Sequence, residues 1–307
     1  MKVLVATEKP FAKQAVDGIR KIVEDAGIQL VLLEKYKEQS DLVKAVADVD
    51  ALIIRSDIAS REVLEAGKNL KIVVRAGAGY DNIDLEAASQ HKIVAMNTPG
   101  QNANAVAELA IGMMILQSRN HFDGSSGTEL KGKTLGLHAY GFVSKCVARV
   151  AKGFGMEIYA FDPFLTPEMI EVDGVKAVSK VEELYTKCQF VSLHIPATKE
   201  TKGSINYNLL SKMPQGAMLV NTARKEVIDE ASLVKVFEDR KDFRYVSDIA
   251  PDNAAVLAEK FPGRFYFTPK KLGAQTDEAN VNAGLAAARQ IVAFLQKGDK
   301  TFQVNKF

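Results

Sequence analysis

Cysteine is nearly missing from this chain: only Cys146 and Cys188 occur in 307 residues, one inside an expected helix and one at a helix end. Two such thiols build neither a disulfide framework nor a metal cluster, which points to a reducing compartment. Long apolar runs are absent as well. No stretch reaches the 18 residues a membrane-spanning helix requires. Met1 leads straight into the strand-like KVLVA without the apolar segment of a secretory signal, so the expected location is cytoplasmic. Charge of one sign does not accumulate: the formal net charge is +2, with no basic face or run. Nucleic acid and membrane are therefore not expected partners. H-E-x-x-H, C-x-x-C and G-x-S-x-G do not occur, which leaves metal hydrolysis and serine acyl transfer without support, and no metal is expected. No internal repeat or low-complexity segment is evident.

What is present is alternation. Apolar runs at 2–6, 29–33, 51–55, 71–75 and 93–96 predict strands, with helices at about 10–26 and 40–48 between the first of them. A long apolar helix is predicted over about 102–119, then a polar loop. A second series of strands begins at Thr134 and continues at 156–161, 189–194, 217–221, 245–249 and 264–268, before a final helix at about 277–296. Strands alternating with helices predict parallel sheets covered on both faces. The length suits about two domains. The expected fold is α/β: two Rossmann-like doubly wound parallel-sheet domains with a cleft between them. Residues 1–100 plus 280–307 form the expected substrate domain and 101–279 the cofactor domain.

The most informative segment runs from Thr134 to Asp162: apolar strand, tight turn, amphipathic helix, apolar strand, acid. That order is a dinucleotide-binding βαβ unit, in which turn and helix N–H groups meet a pyrophosphate and the acid meets a ribose diol. The glycine fingerprint is reduced to Ala139-x-Gly141-x-x-Ser144, keeping the glycine where backbone must approach the ligand. By contrast, Gly127 to Thr134 matches G-x-x-x-x-G-K-[ST] letter for letter. A phosphate loop needs a strand before it and a helix after it, and here a polar loop precedes and a strand follows.

In doubly wound sheets ligands bind outside the carboxyl ends of the strands. Arg55 and Ser56, Arg75 with Gly77 and Gly79, Asn97 to Asn102, Asp162, His194, Arg224, Asp248, and Lys270 with Lys271 all fall at such ends. His138 lies mid-strand and is expected to be a satisfied core residue.

With RAGAGYDNIDLEAA, NTPGQNANAVAELAIGMM, FGMEIYAFDPF, VSLHIPATKETKGSIN, LVNTARKEVIDEASL and GAQTDEAN in order, the chain resembles the D-2-hydroxyacid dehydrogenase family along its length. It looks most like the short phosphoglycerate dehydrogenases, which lack a C-terminal regulatory domain. The resemblance implies NAD as cofactor, a homodimer formed through the cofactor domain, and oxidation of 3-phospho-D-glycerate to 3-phosphohydroxypyruvate, which opens serine biosynthesis. It places the substrate-orienting arginine on Arg224. The substrate loop falls on Ala76, Gly77, Ala78 and Gly79, a phosphate-binding pair on Arg55 and Ser56, and further substrate contacts on Asn102 and Lys270, with Asn280 in the same region. Cofactor contacts fall on Tyr140, Gly141, Phe142, Val143, Asp162, His194, Ile195, Pro196, Thr222, Ala223, Asp248, Gly273 and Ala274.

The family's catalytic histidine is replaced by Lys271, with Lys270 beside it as the alternative acid–base group. The histidine's glutamate partner is replaced by Asn253 or Asp252. The two changes are coherent, since a lysine base must be poised below its usual pKa and an adjacent glutamate raises it. Two other readings remain: a dehydrogenase for another 2-hydroxy acid such as glycerate or glyoxylate, and a non-catalytic NAD-responsive binding protein.

Overall fold

The computed structural model describes all 307 residues, and the chain divides into two compact units, Met1–Asn102 with Gln275–Phe307, and Ala103–Ala274. The first unit contains β1 (Lys2–Thr7), β2 (Gln29–Glu34), β3 (Ala51–Ile54), β4 (Ile72–Arg75) and β5 (Val94–Asn97). They form one sheet in the order β2-β1-β3-β4-β5, every pair parallel. All four residues of β3 are buried, because helices cover both faces. Helices Lys13–Asp25 and Asp277–Lys297 bury Ala15, Ile19, Val23, Ala283, Ala287 and Ile291 on one face. Leu42, Val63, Leu64 and Ala87, from three shorter helices, cover the other.

The edge strand β5 is closed by the carboxyl-terminal tail. Val304 N–H donates to Ala95 O at 2.8 Å, and Asn305 Oδ1 accepts from Ala95 N–H at 2.9 Å. An edge that could template pairing with another chain is thereby occupied.

The second unit contains β6 (Thr134–His138), β7 (Glu157–Phe161), β8 (Lys176–Ala177), β9 (Phe190–Leu193), β10 (Met218–Asn221), β11 (Arg244–Ser247) and β12 (Phe265–Phe267). Their order is β12-β11-β10-β9-β6-β7-β8, again all parallel. The apolar helix Ala103–Ser118 packs against helix Phe142–Gly153 and buries Ala107, Ala110, Ile111, Met113 and Met114. Core burial in this unit thus accounts for its apolar residues on several faces. The two-residue edge strand β8 is not anticipated from the sequence, since two residues carry no period to read. The two parallel α/β sheets are as expected.

Candidate active site

Each sheet reverses its winding once, and the carboxyl ends at that reversal are where doubly wound folds bind ligands. In the second unit the reversal lies between β6 and β9. There His194 N–H donates to His138 O at 3.0 Å, tying the two strand ends together. The turn after β6 carries Ala139 at φ +75°, a left-handed alanine where the fingerprint has its first glycine. Ser144, fully buried at the third position, donates Oγ–H to Ala139 O at 2.6 Å and fixes that turn against the helix.

Gly141 caps the amino terminus of helix Phe142–Gly153, and a Cβ placed on it meets nothing within 4 Å. Packing of this chain therefore does not require glycine there, and the space beside its backbone is open. Phe142 and Val143 open the helix and present first-turn N–H groups. The Tyr140 side chain points elsewhere: it is buried with its hydroxyl on Asp173 at 3.0 Å, so only its backbone faces the turn. Asp162 follows β7. It accepts from Tyr140 N–H at 2.8 Å and Phe164 N–H at 2.9 Å, which holds the carboxylate at the turn. These groups fit a dinucleotide: an open glycine, a helix N-terminus and a fixed acid. Ile195 is buried and Pro196 exposed in the loop after β9.

Several enclosed side-chain atoms without hydrogen-bond partners stand at strand ends: Thr7 Oγ1, Thr98 Oγ1, His194 Nε2 and Thr222 Oγ1. His138 and His194 are both held neutral. Burial pushes His138 down to about 4 against the pull of Asp162, and pushes His194 down to about 3, aided by His138. Unfolded histidines bind protons below about pH 6.5 while these do not. Stability is accordingly expected to fall as pH drops from about 6.5 toward 4, by up to roughly 1.4 kcal/mol per pH unit per histidine. Urea unfolding across that range checks it, with the slope reduced in His138→Gln.

The second cluster joins β10, β11 and the segment after β12. Lys271 Nζ donates to Ala223 O at 2.8 Å and lies 3.3 Å from Asp248 Oδ1. Gly273 N–H donates to Asp248 Oδ2 at 3.3 Å, and a Cβ on Gly273 comes within 2.9 Å of that oxygen, so a larger residue there would push the carboxylate aside. Asp248 is fully buried, and burial raises its pKa against the pull of Lys271 and Arg224. Lys271 keeps 42% of its side chain exposed. Its pKa is lowered from 10.5, first by desolvation, with Arg224 adding and Asp248 opposing.

Arg224 is exposed on a loop fixed by Asn221, whose Nδ2 donates to Arg224 O at 3.0 Å and whose Oδ1 accepts from Ala223 N–H at 2.9 Å. Thr222 is buried in that loop. Of the two adjacent lysines, Lys271 faces this cluster; Lys270 is exposed and contributes its carbonyl to Thr268. Ala274 is half-buried beside Gly273.

The carboxylate beside Lys271 is neither candidate taken from the sequence. Asp252 pairs with Lys225, while Asn253 is turned to Glu230 by 3.0 Å bonds from its N–H and its side-chain amide. Asp248, expected only among cofactor contacts, is the ion-pair partner. The signal was faint: residues 248 and 271 follow neighbouring strands, and only the β11–β12 pairing brings them together.

In the first unit the reversal lies between β1 and β3, and Arg55 sits on it. Its Nη1 donates to Lys9 O and Pro10 O, both at 3.0 Å, and its Nη2 to Asn280 Oδ1 at 2.6 Å. The guanidinium lies 4.9 Å from the centroid of the Phe11 ring. Burial lowers its pKa against the pull of Asp57, whose carboxylate takes the Glu8, Arg55 and Tyr36 donors instead. Arg55 is thus a half-buried cation held by neutral oxygens. Ser56 is exposed next to it, and Asn102 is half-buried ahead of helix Ala103–Ser118.

The loop after β4 divides its donors. Ala76 N–H goes to Ile54 O and Gly77 N–H to Arg75 O, whereas the Ala78 and Gly79 amides have no acceptor within the chain. Asn97 Nδ2 donates to Ala78 O at 2.6 Å and sets the loop. Gly77 has φ +153°, and a Cβ there would overlap Arg75 Nη1 at 1.6 Å, so glycine is obligatory.

The model of the "D-isomer specific 2-hydroxyacid dehydrogenase, NAD binding domain" family matches residues 101–262. A D-3-phosphoglycerate dehydrogenase of Archaeoglobus fulgidus is 35% identical over 312 residues, covering 95% of this chain and 57% of that protein. A second, from Methanocaldococcus jannaschii, is 34% identical, covering 90% of this chain and 55% of the relative. The chain thus spans about half the length of these curated relatives. A crystal structure of an NAD+-bound 3-phosphoglycerate dehydrogenase of Entamoeba histolytica is 53% identical, with a TM-score of 0.87, covering 100% of this chain and 99% of that one. No helix is long and apolar enough to cross a membrane.

Proposed function

The chain belongs to the D-isomer specific 2-hydroxyacid dehydrogenase family, and from that premise we propose that it oxidises the C2 hydroxyl of 3-phospho-D-glycerate to the ketone of 3-phosphohydroxypyruvate, with NAD as acceptor. The observation that carries the phosphate is Arg55, a cation held at the sheet reversal by three neutral oxygens and no carboxylate. A guanidinium so fixed keeps donors for phosphoryl oxygens at little further entropic cost. The Ala78 and Gly79 amides hold the substrate carboxylate. Arg224 binds the oxygen substituents and stabilises the negative charge on the forming carbonyl oxygen. Lys271, in its neutral form, takes the hydroxyl proton. NAD supplies the hydride-accepting ring. Gly141, the amides of Phe142 and Val143, and Asp162 would hold it.

Comparison of 3-phosphoglycerate with glycerate tests the phosphate reading. Arg55→Ala is expected to lower kcat/KM for the phosphorylated acid by roughly 10- to 150-fold, the worth of a charge-assisted contact, and to leave glycerate unaffected. Equal loss on both acids, or none on either, would point to another 2-hydroxy acid. Asp162 should favour NAD over NADP by about a hundredfold, because a 2′-phosphate beside a carboxylate costs several kcal/mol. Comparable efficiency with both cofactors contradicts that role. The same proposal includes a homodimer, a cytoplasmic setting in keeping with two free thiols, and entry of the product into serine synthesis.

A further inference from the structure

The amino-terminal ends of β6, β9, β10 and β11, opposite the cofactor turn, surround a cavity of about 440 Å³ within the second unit. That size lies within the range of metabolite sites. Ser118, Lys133, Gln189, Phe190, Asp242 and Arg244 are among its lining residues. Lys133 belongs to the phosphate-loop string that the fold leaves unused. The string's backbone cannot cradle a phosphate: Thr128, Gly132 and Lys133 N–H donate to Ser118 O, Gly155 O and Leu130 O. The Lys133 side chain is another matter. Its Nζ lies 5.8 Å from the centroid of the Phe190 ring and lines the cavity.

Arg244 is held by neutral groups, with Nη1 on Gln117 O at 2.9 Å and Asn120 Oδ1 at 3.0 Å. The carboxylate in the wall, Asp242, is already taken by Arg240 at 2.5 Å and Gly216 N–H at 2.7 Å. Ser118, only 5% exposed, has its hydroxyl enclosed and without a partner. Two cations without carboxylate partners meet at one cavity.

We propose that this cavity binds a small organic oxyanion, a carboxylate or phosphate ester, through Lys133 and Arg244. Burial lowers the Lys133 pKa, and the Arg244 charge lowers it further against Glu129. An anion in the cavity relieves both effects.

The test is a calorimetric titration of the full chain with inorganic phosphate and, separately, malonate. It is run on Arg55→Ala/Arg224→Gln protein so that the phosphate- and carboxylate-binding cations of the proposed active site do not contribute. One saturable site is expected, at least tenfold weaker when Lys133→Gln is added and likewise weaker with Arg244→Gln. Stronger response to one probe identifies the oxyanion. Crystals soaked in that probe should show it beside Lys133 and Arg244. A flat titration with both probes, affinity unchanged by both substitutions, or a cavity filled by a side chain of a second copy overturns the proposal.

Discussion

Lys271→Ala is expected to lower kcat for 3-phosphoglycerate oxidation by about 10²- to 10⁴-fold, the usual contribution of a positioned acid–base group, with NAD affinity unchanged. The expectation rests on geometry first: Nζ is fixed by Ala223 O at 2.8 Å and Asp248 at 3.3 Å. Its protonation state comes second. Desolvation and Arg224 bring the pKa below 10.5, so the acid limb of kcat/KM should lie below the ordinary lysine value. Asp248 acts in the other direction, holding the ammonium form. Asp248→Asn is therefore expected to move that limb to lower pH. A rise in the NAD KM with the limb unmoved would make Asp248 a cofactor contact and no partner of Lys271.

Arg224→Gln carries the second large effect. A donor aimed at charge that appears only as the carbonyl forms is worth about 10²- to 10³-fold in kcat, or roughly 3–4 kcal/mol. On the proposed role Arg224 also meets the ground-state carboxylate, so KM should rise along with the fall in kcat. Loss confined to KM would reduce Arg224 to a binding group. The loop is held by Asn221 bonds to the Arg224 and Ala223 backbone, and the substitution removes only the exposed Arg224 Nη1–Ala223 O bond at 3.0 Å. Unchanged thermal stability of the variant would confirm that the loss is chemical.

Much of the framework could be read from the chain because parallel strands buried on both faces leave unbroken apolar runs such as ALII and MLVN. Residues at the ends of those runs are what such a topology brings to a ligand, and Arg55, Asp162 and Lys271 do stand after strands. What stayed hidden depends on neighbours distant in sequence. The Lys271–Asp248 pair arises only from the adjacency of β11 and β12. The Arg55–Asn280 contact spans 225 residues. Which of Ala76, Gly77, Ala78 and Gly79 keeps a free amide was equally illegible, since it depends on where Ile54 O and Arg75 O lie. For the usual glutamate the sequence offers Asn253 or Asp252, yet the carboxylate beside Lys271 is Asp248, from a strand end.

The most direct measurement is the initial rate of NADH formation by the purified protein with NAD and 3-phosphoglycerate at alkaline pH, set beside glycerate at the same concentration. Turnover that strongly prefers the phosphorylated acid is the predicted result. Preference for glycerate, or NAD binding with no turnover of either acid, would contradict a phosphoglycerate dehydrogenase.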